Sequence, residues 1–347
     1  TALLFLPAHA PYNYYTKDYE KGLQLYASGV LIMDKCADLL PDYYSFVKGL
    51  VDSADLSLNI SREMLQHDHQ LKVIAKAIDK KITSELKTML KKDRETYEKF
   101  FSTFGVQLKF GVYDEFGVHK EELKDLLLFY SSTEKKMVTL KEYRDRMPED
   151  QEKIYYACGP SVDKIDLLPQ TDAAKAKGYE ILYLTENIDE FVLQILLEYE
   201  GKRFVNVSAD DAGLVSEEEE EAVKTENEAS KDLLEYMKEA IGNDIKGVRF
   251  THKLKNHAVC LTSEGKISLE MERVLKSMPT DNNVKAEVFL DINGEHPIAA
   301  KLKELYAADK EKVGEYARIL YAQARLIGGM QVDNPVELTD MICKLMA

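Results

Sequence analysis

Gly49-Leu50-Val51-Asp52-Ser53-Ala54-Asp55-Leu56-Ser57-Leu58-Asn59-Ile60-Ser61-Arg62-Glu63-Met64-Leu65-Gln66 is the stretch on which the reading of this 347-residue chain turns. Ser61 suits a helix N-cap, since its short hydroxyl can accept from the first free amides of a helix. A long helical region is expected after it, because Leu71, Ile74, Ile78, Ile82, Leu86 and Met89 recur every three or four residues and share one face. Arg62 then falls in the first turn, where the helix dipole disfavours a cation. Two accounts fit such an arginine: neutralisation by Glu63 or Asp55, or the holding of an anion beside the exposed amides, for which a guanidinium is well suited. The residues alone leave both open.

Outward from this segment, strand-like and helix-like signals alternate. The apolar runs Ala2–Leu6 and Val30–Met33 predict strands, with the aromatic, turn-rich loop Ala10–Tyr15 between them. Tyr97, Phe100, Phe101 and Phe104 predict a shorter helix stopped by Gly105, a residue suited to a C-terminal cap. Thr139-Leu140-Lys141-Glu142 has the form of a capping box. Strands at Ile154–Cys158, Tyr179–Leu184 and Phe204–Val207 alternate with helices at Gln170–Lys177, ended by Gly178, and Ile188–Leu197. That order predicts a mixed or parallel sheet with covered faces.

The character changes after Ser208. Residues 209–230 are polar and include five consecutive glutamates, Glu217 to Glu221, which repel one another and mark a solvated connector or a helix start. A helix is expected around Glu228–Ile241, then strands at Val248–Phe250, Ala258–Leu261 and Ala286–Ile292, with an amphipathic helix Ile267–Met278 between the last two. Pro297 and Pro335 stand where prolines open helices. Between them Val313, Tyr316, Ala317, Leu320, Ala324 and Ile327 form an apolar stripe. Such a stripe either covers the domain's own sheet or meets a partner.

Composition narrows the function classes. Apolar residues make up 45 % of the chain, enough for globular cores. The 61 acidic and 46 basic side chains give a net charge of −15, which repels phosphate backbones and argues against nucleic-acid binding. The four cysteines, Cys36, Cys158, Cys260 and Cys343, lie far apart and form no CxxC pair, so neither a disulfide framework nor a zinc site is expected and a reducing cytoplasm fits. His67 and His69, two residues apart, point in different directions on a helix and predict no metal site. Gly111–Gly117 has the wrong spacing for a phosphate loop, and neither GxSxG nor HExxH occurs. The opening Ala2–Leu6 is too short for a signal segment or a membrane span, and a chain that opens inside a strand is expected to be part of a longer one.

The segment Gly49–Gln66 closely resembles the signature of the heat-shock protein 90 middle domain. So do Leu4–Pro11, Val30–Asp34, Gln151–Tyr156, Lys177–Leu182 and Ile188–Phe191, while Val248–Leu254 resembles the start of the C-terminal domain. The blocks stand in the family's order along the whole chain. The ending Ile342–Ala347 has neither the acidic tail of eukaryotic cytosolic members nor the retention signal of the endoplasmic-reticulum form, and so is similar to the bacterial branch.

That resemblance implies a fold of α/β and α+β parts. A layered αβα middle domain would span 1–208, an acidic connector and helix start 209–230, and an α+β C-terminal dimerisation domain ending in a helical bundle 231–347. It implies a cytoplasmic, homodimeric, ATP-dependent chaperone of unfolded proteins, assisted by co-chaperones. ATP and Mg would be bound by a separate N-terminal domain, without which this chain would hydrolyse nothing. Arg62 would be the catalytic arginine, supported by Gln66 and Asn59. Client contact would fall to Glu190, Phe191, Gln194, Ile267, Met271, Val274 and Leu275, with Phe191 where the family can carry a tryptophan. Val313, Tyr316, Leu320 and Ile327 would lie in the dimer interface. No nucleic acid, membrane or metal is implied. An energy-independent holdase or scaffold is the alternative. The transducer half of a DNA-acting ATPase is disfavoured by the charge and by the absence of basic stripes.

Overall fold

The computed structural model describes residues 1–56, 69–209, 212–278 and 284–346. They divide into two compact units: 1–129 with 137–142 and 191–197, and 130–136 with 143–190 and 198–347. The boundary expected near Ser208 lies inside the second unit.

The first unit opens with a sheet of β1 (Ala2–Phe5), β2 (Leu23–Ala27), β3 (Val30–Cys36) and β4 (Lys48–Asp52), in the order β1-β4-β2-β3. β4 runs parallel to β2 and antiparallel to β1. Two long helices follow, α1 (His69–Lys92) and α2 (Arg94–Tyr113). α1 buries Leu71, Ile78, Ile82 and Leu86, the stripe that its spacing predicted. On α2 the rings of Phe100 and Phe104 pack against Phe46, at centroid distances of 5.2 and 4.8 Å. Each such pair adds about 0.5–1.5 kcal/mol to what burial alone gives.

α2 does not stop at Gly105 but runs two further turns. Gly105 is buried there, and a Cβ on it would lie 2.6 Å from Cε1 of Phe101. This glycine serves close packing and not a cap. The capping box is formed as read: Glu142 N donates to Thr139 Oγ1 at 3.0 Å and Thr139 N to Glu142 at 2.8 Å. Arg94 reinforces it with two bonds to the Glu142 carboxylate. Short helices α3 (Lys120–Leu123) and α4 (Leu140–Arg146) and strands β5 (Leu128–Ser131) and β6 (Met137–Thr139) complete this stretch.

In the second unit β7 (Lys153–Cys158), β8 (Ile181–Leu184) and β10 (Lys202–Asn206) are parallel, with β7 in the centre, while β9 (Glu198–Tyr199) adds an antiparallel edge. All four side chains of β8 are buried, as fits a strand covered on both faces. Helices α5 (Val162–Asp166) and α6 (Asp172–Ala176) belong to this unit, while α7 (Asp189–Leu196) begins in it and from Phe191 onward belongs to the first unit. Gly178 ends its helix at φ +73°, where a side chain would strain the backbone.

The glutamate run is a helix start. Ser216 caps α8 (Glu217–Ala229) with Glu219 bonding back, and anionic side chains in a first turn are favoured by the helix dipole. α9 (Lys231–Ile241) follows. A three-stranded sheet then orders as β11 (Gly247–Thr251), β13 (Glu287–Asn293), β12 (Val259–Glu264). α10 (Leu269–Ser277) sits between the latter two in sequence, and α11 (Pro297–Ala308), α12 (Lys310–Ile327) and α13 (Pro335–Met346) end the chain. Arg249 neutralises the buried Asp291 at 2.6 Å and bonds Thr262 and Glu264, so the buried carboxylate has its counter-charge.

The apolar stripe of α12 covers its own domain. Val313, Ala317, Leu320 and Ala324 are buried with Phe250, Leu261 and Leu290, and Tyr316 packs against the same core. The reading of Val313 and Leu320 as interface side chains is therefore corrected: the sheet needs that face. Ile327 stays 40 % exposed at the helix end.

Two helical glycines make a paired test. A Cβ at Gly111 would lie 2.4 Å from Cβ of Tyr43, whereas at Gly314 the nearest atom is 3.5 Å away. Gly111→Ala is expected to lower unfolding stability by about 1–3 kcal/mol through overpacking, and Gly314→Ala to raise it by about 0.5–1 kcal/mol. Chemical denaturation of the two variants checks this.

Candidate functional site

Glu190, the second residue of α7, is 4 % exposed, so its carboxylate must be held by donors. Tyr156 on β7 donates its hydroxyl at 3.2 Å and Asn206 on β10 its amide at 2.9 Å, both to Oε1. Ser268 donates to Oε2 at 2.5 Å. Burial pushes the Glu190 carboxyl above its usual range, and these bonds, with one from the Cys158 thiol, pull part of that shift back. Cys158 is itself pushed up by burial and by Glu190 beside it. A thiol so disfavoured from ionising is a poor nucleophile.

Ser268 has a second task. Its Oγ accepts from Met271 N at 3.0 Å and so caps α10. One hydroxyl thus links the start of α10 to a carboxylate on α7. Farther along, Glu272 accepts from Ala286 N at 2.6 Å, and Arg273 reaches Asn187 at 3.2 Å. α10 is pinned along its length by polar contacts as well as by Met271 and Val274, which are 4 % and 2 % exposed.

The seven residues expected to contact clients therefore separate by burial. Gln194 is exposed, while Phe191, Ile267 and Leu275 are half-buried. Glu190, Met271 and Val274 are buried, at 4, 4 and 2 % exposed. Phe191 and Gln194 belong to the first unit and the other five to the second. Phe191 meets Tyr113 edge-on, at a centroid distance of 6.0 Å. The catalytic candidates Arg62, Gln66 and Asn59 lie outside the described residues.

Sequence reading missed two features. Tyr156, Asn206 and Ser268 converge on Glu190 from positions far apart in the chain, which no local pattern signals. The second was legible. Lys72, Lys76, Lys80, Lys87 and Lys91 fall within an arc of about 100° on α1, so a basic stripe does exist in this acidic chain. Several of these lysines, with Thr83, Ser84 and Thr88, line an open groove of 590 Å³ that Asp79, Glu121 and Glu122 also border. The mixed charge makes it unlike a uniform phosphate track.

Comparison with known proteins assigns this architecture. The family profile described as Hsp90 protein matches residues 1–347. The chain belongs to the Hsp90 family. It is 56 % identical over 345 residues to the chaperone protein HtpG of Bacillus subtilis (strain 168), covering 99 % of this chain and 55 % of that protein. The HtpG of Clostridium perfringens (strain 13 / Type A) gives the same identity and coverage, and that of Halalkalibacterium halodurans is 56 % identical over 346 residues. The chain spans about half the length of these Hsp90-family relatives, at 55 %. Among the described residues no helix is long and apolar enough to cross a membrane, and no cluster suits a metal ion.

The raised Glu190 pKa fixes the sign of a pH effect. Below the usual value of 4.5 the carboxyl is protonated in both folded and unfolded chains. As pH rises from there, the unfolded chain ionises first, so this group's contribution to stability falls until the folded carboxyl also ionises. Stability of the wild type relative to Glu190→Gln is therefore expected to fall with rising pH across that window. Denaturation of both proteins along a pH series checks the direction.

Proposed function

We propose that this chain is the middle and C-terminal part of an ATP-driven chaperone that binds unfolded proteins in the cytoplasm as a homodimer. Similarity along the whole chain to chaperones named HtpG supports this. The observation that carries the client-binding half is the Glu190–Ser268 contact, which fixes an amphipathic helix, α10, by its first turn. Phe191 and Gln194 of the first unit, and Ile267 and Leu275 of the second, offer side chains to clients, and Glu190, Met271 and Val274 hold α10 in place. Residues 209–230 join the middle and C-terminal domains on this reading.

ATP and Mg²⁺ would be held by a nucleotide domain outside this chain, and ATP hydrolysis would supply the free energy. Arg62 lends that site a guanidinium, with Asn59 and Gln66 in support. Negative charge spreads over the phosphate oxygens as the bond to the leaving group breaks, and a fixed, planar pair of N–H donors is strongest against that charge. In the full-length protein Arg62→Ala is expected to lower ATP turnover roughly 10²-fold or more. Unchanged turnover in a steady-state ATPase assay would instead favour an energy-independent holdase or scaffold.

The dimer interface takes its apolar surface from the end of α12 and from α13. Leu326, Ile327, Val336 and Met346 are 55, 40, 70 and 82 % exposed. α13 itself is seated by Leu338 against Ile319 and Ala322. Sedimentation equilibrium at micromolar concentration should find a dimer, and Ile327→Asp combined with Val336→Asp should give a folded monomer. A monomeric wild type contradicts the assignment.

A further inference from the structure

α2 carries a second apolar stripe that the core does not use. Val106, Phe110 and Tyr113, at positions i, i+4 and i+7, are 39, 41 and 41 % exposed on one face of the helix. The stripe leads into a turn, Asp114–Gly117, where Glu115 and Phe116 have φ of 46° and 56°. Phe116 is 97 % exposed and Val118, just beyond, 67 %. Leu197, at the end of α7 in the same unit, has φ 65° and is 65 % exposed.

Backbone and solvent both count against this arrangement. Bulky residues rarely adopt the left-handed region, and an exposed phenyl gains nothing from folding. Among the described residues, Phe116 and Leu197 are the apolar ones among the non-glycine residues of positive φ, and both belong to this unit. The turn is held firmly: Gly117 is buried with its φ at +85°, and a Cβ on it would lie 2.5 Å from Cγ2 of Ile195. Lys120 donates to the Ile195 carbonyl at 3.2 Å. A clamped turn that presents a phenyl ring to solvent is built to present it.

Charge selects the occupant. Asp114 and Glu115 stand at the stripe's end. The nearby basic groups are engaged: Lys109 is buried over the rings of Phe101 and Phe129, and Lys124 pairs with Glu121. Tyr113, the stripe's last helical member, also touches Phe191, so the surface continues the proposed client contact.

We propose that the stripe Val106-Phe110-Tyr113 and the turn bearing Phe116 form a docking surface for unfolded segments that carry bulky apolar side chains beside lysine or arginine. This rests on the client-binding reading and gives it a sequence preference. Phe116→Asn isolates the role, since asparagine tolerates the left-handed region while removing the ring. The test measures binding of a fluorescent peptide of about 15 residues, rich in Leu and Phe and ending in arginines, to the full-length protein by anisotropy. Phe116→Asn and Tyr113→Ala are expected to raise its Kd about fivefold or more, with the melting temperature of Phe116→Asn equal to or above the wild type. Replacing the peptide's arginines by glutamates should weaken binding similarly.

Unchanged binding in both variants, or equal affinity for the glutamate peptide, overturns the proposal. So does a shift in oligomeric state with peptide affinity intact, which would make the patch a contact between copies. Phe191→Ala separates the two readings: if it leaves binding unaltered while Phe116→Asn weakens it, the Phe191 assignment fails and this surface stands.

Discussion

A carboxylate taken out of water is the constraint around which the second unit is arranged. Left alone, a buried Glu190 would cost several kcal/mol, more than most single interactions return. Tyr156, Asn206 and Ser268 each offset part of that cost, and they come from β7, β10 and the first turn of α10. Remove any of them and a buried acceptor loses its donor, which costs more than the bond contributes. The carboxylate thereby fixes where α10 begins. Met271 and Val274 then follow into the interior, and Ile267 and Leu275 are left at the margin.

The family membership fits this economy. On the proposed client-binding reading, the chain offers apolar surface to partners without losing its own fold. Polar anchoring of α10 adds to the burial of Met271 and Val274, so Ile267 and Leu275 need not be buried to hold the helix. The left-handed turn at Phe116 shows the same division of labour. Gly117 and Lys120 secure the backbone, and the ring they carry contributes nothing to the core.

Features governed by near neighbours were legible in the sequence. The reciprocal bonds of Thr139 and Glu142, the start of α11 at Pro297 and the turn at Gly178 all follow from residues within a few positions of one another. Features decided by tertiary packing were not. Gly105 reads as a cap until the ring of Phe101 is seen in the space its side chain would need. Val313 and Leu320 read equally well as interface or core, because helical spacing shows which side chains share a face but not what covers it. The lysine face of α1 differs: Lys72, Lys76, Lys80, Lys87 and Lys91 recur at helical spacings of four and seven, a local pattern that an overall charge of −15 conceals. Of the proposed site, the client residues were reached through resemblance, and the anchoring of α10 became apparent only from hydrogen bonds between distant positions.

The most direct measurement is amide hydrogen exchange in α10 of the wild type and of Glu190→Ala, under conditions where both are folded. If the carboxylate fixes the start of this helix, the amides of Met271 and Glu272 exchange markedly faster in the variant, while those of α9 and α12 keep their protection. Equal protection of Met271 and Glu272 in the two proteins would contradict the account.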